Sequence, residues 1–205
     1  MAKRQGSTDR NQRKKGGRGG GWATSSQDFV DLIRRLYAHS KKDAADSTDG
    51  NWSRYVYAGL PMLMAALQAF AVEYERISYP SRMTKILDVN DQEFKARYGL
   101  DDALAQELDD LIELRNEIIH ATHLPTGTKD NWPDYLRRVK AAGLLNSTID
   151  SESDFVMLSQ MASHRLFMWA VDVTRRLYER VVESDPERAP QFRPFLDSWN
   201  SDRFG

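Results

Sequence analysis

The chain contains no cysteine among its 205 residues. Disulfides and thiolate metal sites are thereby excluded, and a reducing compartment is the natural setting. Long apolar runs are missing as well, since nothing approaches the roughly 18 residues that a membrane span requires. No apolar h-region follows the basic N-terminal residues, so that segment does not read as a secretory signal. Strand-like alternation and internal repeats are also lacking, which leaves helices as the building material. The expectation is a cytoplasmic protein of the all-α class with no membrane partner.

What the chain has instead is a lopsided charge. The formal net value of −1 divides into two unlike parts. Residues 1–21 hold Lys3, Arg4, Arg10, Arg13, Lys14, Lys15 and Arg18 against Asp9 alone, a local charge of +6, and the remainder carries −7. This Gly/Arg-rich segment has almost no apolar side chain to bury. Residues 1–24 are therefore expected to form a disordered arm. An arm with Lys14, Lys15 and Arg18 suits sequence-blind contact with RNA phosphates. A solubilising tail or an expression remnant explains the same composition equally well.

A helical domain is expected over 25–185. The capping box Ser25-x-x-Asp28, ahead of Phe29, Ile33 and Leu36, predicts a helix over about 26–40. Lys41 to Gly50 reads as a polar loop. Asn51 is placed to cap a second helix that reaches about Ser78, with a kink or break at Gly59 and Pro61. Its later part, through Met62, Leu63, Leu67 and Phe70, reads as the central core helix, closed by Glu73 and Glu75. Short helices follow near 82–88 and 91–98, the latter stopped by Gly99. Pro133 opens a short basic helix bearing Arg137, Arg138 and Lys140, which Gly143 ends. Ser151-x-x-Asp154 opens the longest helix, about 152–183. Residues 186–205 form a tail whose Phe192, Phe195, Trp199 and Phe204 dock on the bundle or on a partner.

The anomaly lies in the helix that Asp101 and Asp102 open and Pro125 terminates. Leu104, Leu108, Leu111 and Ile118 make an apolar stripe, and Arg115 interrupts it. A buried guanidinium needs an acceptor, because an isolated charge in apolar surroundings is very costly. Glu73 or Glu75 could supply it, as could a polar cleft or an interface. Asn116, His120 and His123 follow along one helical line, and Arg115 and His120 diverge by roughly 140° around the axis.

Arg115-Asn116 with His120 four residues further on resembles the Arg-x4-6-His signature of HEPN domains, including the polar residue that active members carry after the arginine. By helix order the resemblance extends over residues 26–183, although its specific part is six residues long. It implies a small helical bundle that dimerises to build a shared, metal-independent ribonuclease site. It also implies a toxin or phage-defence setting, with an antitoxin or defence-system partner protein. In HEPN toxins silenced by a partner nucleotidyltransferase, a tyrosine stands two residues after the histidine. Here Thr122 stands there, so silencing of that kind has no obvious target.

The chemistry fits those residue types. RNA is cut without metal when its own 2′-OH attacks the adjacent phosphorus, which needs a proton shuttle near neutrality and fixed positive charge. Histidine is the side chain that titrates there, and arginine offers phosphate a bidentate fork. Arg115, Asn116 and His120 are thus the candidate catalytic set, with no cofactor and no metal. His123, Arg137 and Arg138 are candidate RNA contacts. Each has a plainer reading: an ion-paired arginine, a helix-end histidine, a solvated basic face. His39 and His164 sit in ordinary helical contexts and are expected to be structural. The alternative function is a non-catalytic HEPN-like module that binds RNA, a nucleotide or a partner protein.

Overall fold

The computed structural model describes residues 25–75, 92–120, 132–146, 155–187, 189–200 and 204. Its helices are α1 (Ser25–Asp46), α2 (Val56–Glu75), α3 (Gln92–Tyr98), α4 (Asp102–His120), α5 (Asp134–Ala141), α6 (Phe155–Met161), α7 (His164–Glu183) and α8 (Ala189–Ser198). Among the described residues there is no strand beyond one isolated bridge, Trp52 to Ser163. The class is all-α, and no described helix is long and apolar enough to cross a membrane.

The apolar faces explain the packing. Val30 and Ile33 of α1, Leu60, Leu63, Leu67 and Phe70 of α2, Leu104, Leu108, Leu111 and Leu114 of α4, and Leu166, Phe167, Val173 and Leu177 of α7 are all buried in one core. Helix α7 lies against α1, α2, α4 and α8 and is the centre of the bundle. Two turns read directly from glycine. Gly99 (φ +60°) and Gly143 (φ +69°) take the left-handed conformation that ends α3 and α5. In each case the next residue closes the helix, Leu100 N–H donating to Lys95 O and Leu144 N–H to Val139 O.

Four expectations are corrected. Helix α1 continues through Lys41 to Asp46, because Ser40 and Ala44 are small enough to bury against the bundle and keep the helix packed. Helix α2 is unbroken at Gly59 and Pro61. Gly59 instead admits the Phe167 ring, whose Cζ lies 2.4 Å from where a Cβ would stand. Pro61 forgoes one backbone bond, and core packing outweighs that loss. The expected helix over 152–183 is two helices, because Ser163 caps α7 by accepting from Leu166 N–H. Asn51 does not cap α2: its Nδ2 donates to Ser163 Oγ at 3.0 Å and its Oδ1 accepts from Arg165 N–H at 2.9 Å. The helix expected near 82–88 lies outside the described residues.

The aromatic tail docks on its own bundle. Phe195 stacks on Phe70 with ring centroids 5.0 Å apart, and Trp199 lies 5.0 Å from Tyr178. Phe204 stands edge-on to Tyr37 of α1 at 5.3 Å. Trp199 is fully buried, and the Arg34 guanidinium donates to the Ser198 carbonyl. The last helix therefore closes against the first.

Candidate functional site

Helix α4 carries the candidate site on its last turns. Asp101 starts the helix by accepting from Leu104 N–H at 2.8 Å. The buried stripe is Leu104, Leu108, Leu111 and Leu114, and Ile118 is half-buried. Arg115 lies half-buried at the edge of that stripe. Its Nη1 donates to Asn116 Oδ1 at 3.0 Å, while its Nε is buried without a hydrogen-bond partner. Asn116 is half-buried and His120 is exposed, at the end of the described helix.

Of the acceptors expected for Arg115, Glu73 stands on α2 and Glu75 ends that helix. Burial first, and then the charge of Glu73, push the Tyr178 hydroxyl well above its ordinary value. The described hydrogen bond of Arg115 goes to its own neighbour, Asn116. The side chain of Glu75 lies outside the described residues, as do Lys14, Lys15, Arg18, Thr122 and His123.

The basic residues of α5 all make contacts within the fold. Arg138 reaches back to α4 and grips Asp110, with Nε 3.0 and 3.2 Å from the two carboxylate oxygens and Nη2 at 2.5 Å. Asp110 is only 4% exposed and also accepts from Gln106 Nε2 at 3.1 Å. A buried carboxylate demands such a partner. Arg138 is thus tied to the fold by an acid, and its side chain remains partly exposed. Arg137 pairs with Asp134 one turn earlier, and that pairing holds the Asp134 carboxyl below its ordinary range. Lys140 lies over the Trp132 ring, 4.9 Å from its centroid.

One pair beside the motif escaped the sequence reading. Tyr135 of α5 donates to Glu117 Oε1 at 2.6 Å, and Glu117 Oε2 is buried without a hydrogen-bond partner. Burial first, then the hydrogen bond to Glu117 and the charges of Glu117 and Glu113, push the Tyr135 phenol far above its ordinary value. It is a donor at any physiological pH. The available signal was spacing: Glu113, Glu117 and His120 follow at helical intervals, and Tyr135 sits in the first turn of the next described helix.

The remaining histidines have partners within the bundle. His164 Nδ1 lies 2.9 Å from Ser40 Oγ, and its ring sits 5.1 Å from Tyr37. Burial, with the charge of Lys41 adding to it, holds His164 below its ordinary value. His39 stacks on Tyr55 at 5.2 Å. Among the described residues no group of three or more His, Asp or Glu side chains is placed to hold a metal ion.

The arrangement thus offers a cation held by an amide, an exposed imidazole beyond it, and, one turn before that imidazole, a carboxylate whose second oxygen is buried without a hydrogen-bond partner. The likeness to HEPN domains rests on Arg115, Asn116 and His120 alone, for no protein-family model, no curated protein and no solved structure matches this chain.

Proposed function

We propose that the chain is a HEPN-type endoribonuclease that cuts RNA without a metal ion, at a site completed by a second copy of the chain. The observation that carries this reading is the Arg115–Asn116 pair followed by an exposed His120 on one helix end. The substrate 2′-OH attacks phosphorus as the P–O5′ bond breaks, leaving a 2′,3′-cyclic phosphate and a 5′-OH. His120 moves the proton, Arg115 stabilises charge on the phosphorane oxygens, and Asn116 keeps the guanidinium turned toward them. Within one protomer Arg115 and His120 point apart, so each pairs functionally with a group across the dimer. The Arg115 Nε supports this reading, since a buried donor with no acceptor in its own protomer calls for a partner from elsewhere. A toxin or phage-defence effector is the biological setting that such an activity suits.

The test is incubation of the purified chain with total RNA in EDTA, beside its His120→Ala variant. Loss of a positioned acid/base group lowers kcat by about 10²–10⁴-fold, and the products should end in cyclic phosphate. A well-folded His120→Ala dimer that cuts RNA at the wild-type rate would refute the catalytic role. Binding without cutting by both proteins would leave a non-catalytic RNA-binding module.

A further inference from the structure

We infer that Glu117 is a positioning residue for His120, anchored from the far side by Tyr135. This rests on the ribonuclease reading above and adds a group to its site.

The geometry begins with the anchor. Tyr135 Oη holds Glu117 Oε1 at 2.6 Å, which fixes the carboxylate plane against α5. The second oxygen, Oε2, is buried and receives no hydrogen bond. A buried carboxylate oxygen without a donor is unfavourable by about 1–3 kcal/mol or more, so a donor that reaches it is strongly favoured. The first donor along the helix on that side is His120. Three residues on, it lies within roughly 60° of Glu117 around the axis and one turn away, the spacing at which helical side chains meet. Its imidazole is exposed, and a change of rotamer would bring a ring N–H toward the carboxylate. Arg115 is two residues from Glu117 and projects to the other side of the helix, so it does not fill the vacancy.

The consequence is chemical. An imidazole that donates one ring N–H to Glu117 presents the other nitrogen, unprotonated, to the substrate 2′-OH. The carboxylate then selects the tautomer and aims the ring, and it stabilises the imidazolium formed when the hydroxyl proton arrives. Tyr135 stays protonated throughout and keeps the carboxylate from turning away. Glu117 touches no reacting atom.

Two measurements on the full chain test this. In steady-state cleavage, Glu117→Gln should lower kcat by roughly 10–100-fold, the range seen when an orienting partner of a histidine is removed. KM should be nearly unchanged, and the loss should vanish in a His120→Ala background, where there is no imidazole to orient. In ¹⁵N spectra at neutral pH, with the His120 signal assigned by its absence from His120→Ala, wild type should show one dominant tautomer. Glu117→Gln should shift the balance, because its amide offers a donor where Oε2 offered an acceptor. Tyr135→Phe should broaden the balance with a smaller loss of kcat, and it decides the matter if Glu117→Gln does not fold. A folded Glu117→Gln chain with wild-type kcat, or a tautomer balance unmoved by either variant, overturns the inference while leaving the ribonuclease reading intact. A tautomer that depends on Glu117 in a chain that never cuts RNA upholds the pairing and sinks the ribonuclease reading.

Discussion

Replacing Arg138 with alanine separates a guanidinium that holds the fold from one that holds RNA. The variant strips Asp110 of three contacts and leaves it Gln106 Nε2 at 3.1 Å. Removing one partner of a fully buried ion pair costs about 3–5 kcal/mol. The Arg138 side chain is 42% exposed, so water already weakens the pair and can hydrate the orphaned acid. We therefore expect about 2–3 kcal/mol. For a chain of this size each kcal/mol moves Tm by roughly 2–4 °C, so the melt should fall by about 4–12 °C. Urea unfolding should show a lower midpoint at unchanged slope, since the surface exposed on unfolding is the same. Adding Asp110→Asn should recover about 1 kcal/mol or more, because a buried amide is far less costly than an unpaired carboxylate. If Arg138→Ala lies within about 0.5 kcal/mol of wild type, the range of an ordinary surface change, and binds RNA more weakly, the guanidinium faces RNA and the reasoning fails.

Gly59→Ala would gain about 1 kcal/mol of helix propensity on an exposed helix. Here the new methyl meets the buried Phe167 ring, so a net loss of about 1–3 kcal/mol is expected in denaturant unfolding. His164 is held below its ordinary value in the folded chain, by burial first and then by the charge of Lys41. As pH falls through about 6.5 the unfolded chain takes up that proton first, so stability is full above this point, falls below it, and levels off beneath the folded value. Unfolding midpoints from pH 8 to 5 should show that decline in wild type and a smaller one in His164→Gln. Deleting residues 1–21 removes a charge of +6, so RNA affinity and its salt slope should both drop while kcat at saturating RNA survives. Abolished cleavage would show that the arm belongs to the catalytic machinery.

Sequence spacing reached the helices whose ends are written in side-chain chemistry. Asp101 at the start of α4, Gly99 after α3 and Gly143 after α5 each fix a backbone angle or a hydrogen bond locally, and local rules suffice there. It failed where a distant neighbour decides. Gly59 looks like a helix breaker until Phe167, more than a hundred residues later, is seen to need the space. Ser163 looks like one more residue in a long helix until Asn51 arrives to complete its cap. The polar stretch Lys41–Asp46 carries too little apolar surface to announce a helix, yet Ala44 buries all the same. At the candidate site the motif residues were legible, because charge and titratability belong to the residue type. The Asp110–Arg138 and Glu117–Tyr135 pairs were not, because each depends on how α5 crosses α4.

The contact of Arg34 with the Ser198 carbonyl, 164 residues apart in the chain, sets an order of events during synthesis. At translation rates of about 5–20 residues per second, roughly ten to thirty seconds pass between the emergence of the two groups. For all that time the surfaces of α1 and α2 that later receive Phe204 and Phe195 stay uncovered. The delay also leaves the motif helix in an unfinished bundle until Phe195, Trp199 and Phe204 have been made, so the packing that carries Arg115 and His120 is completed late.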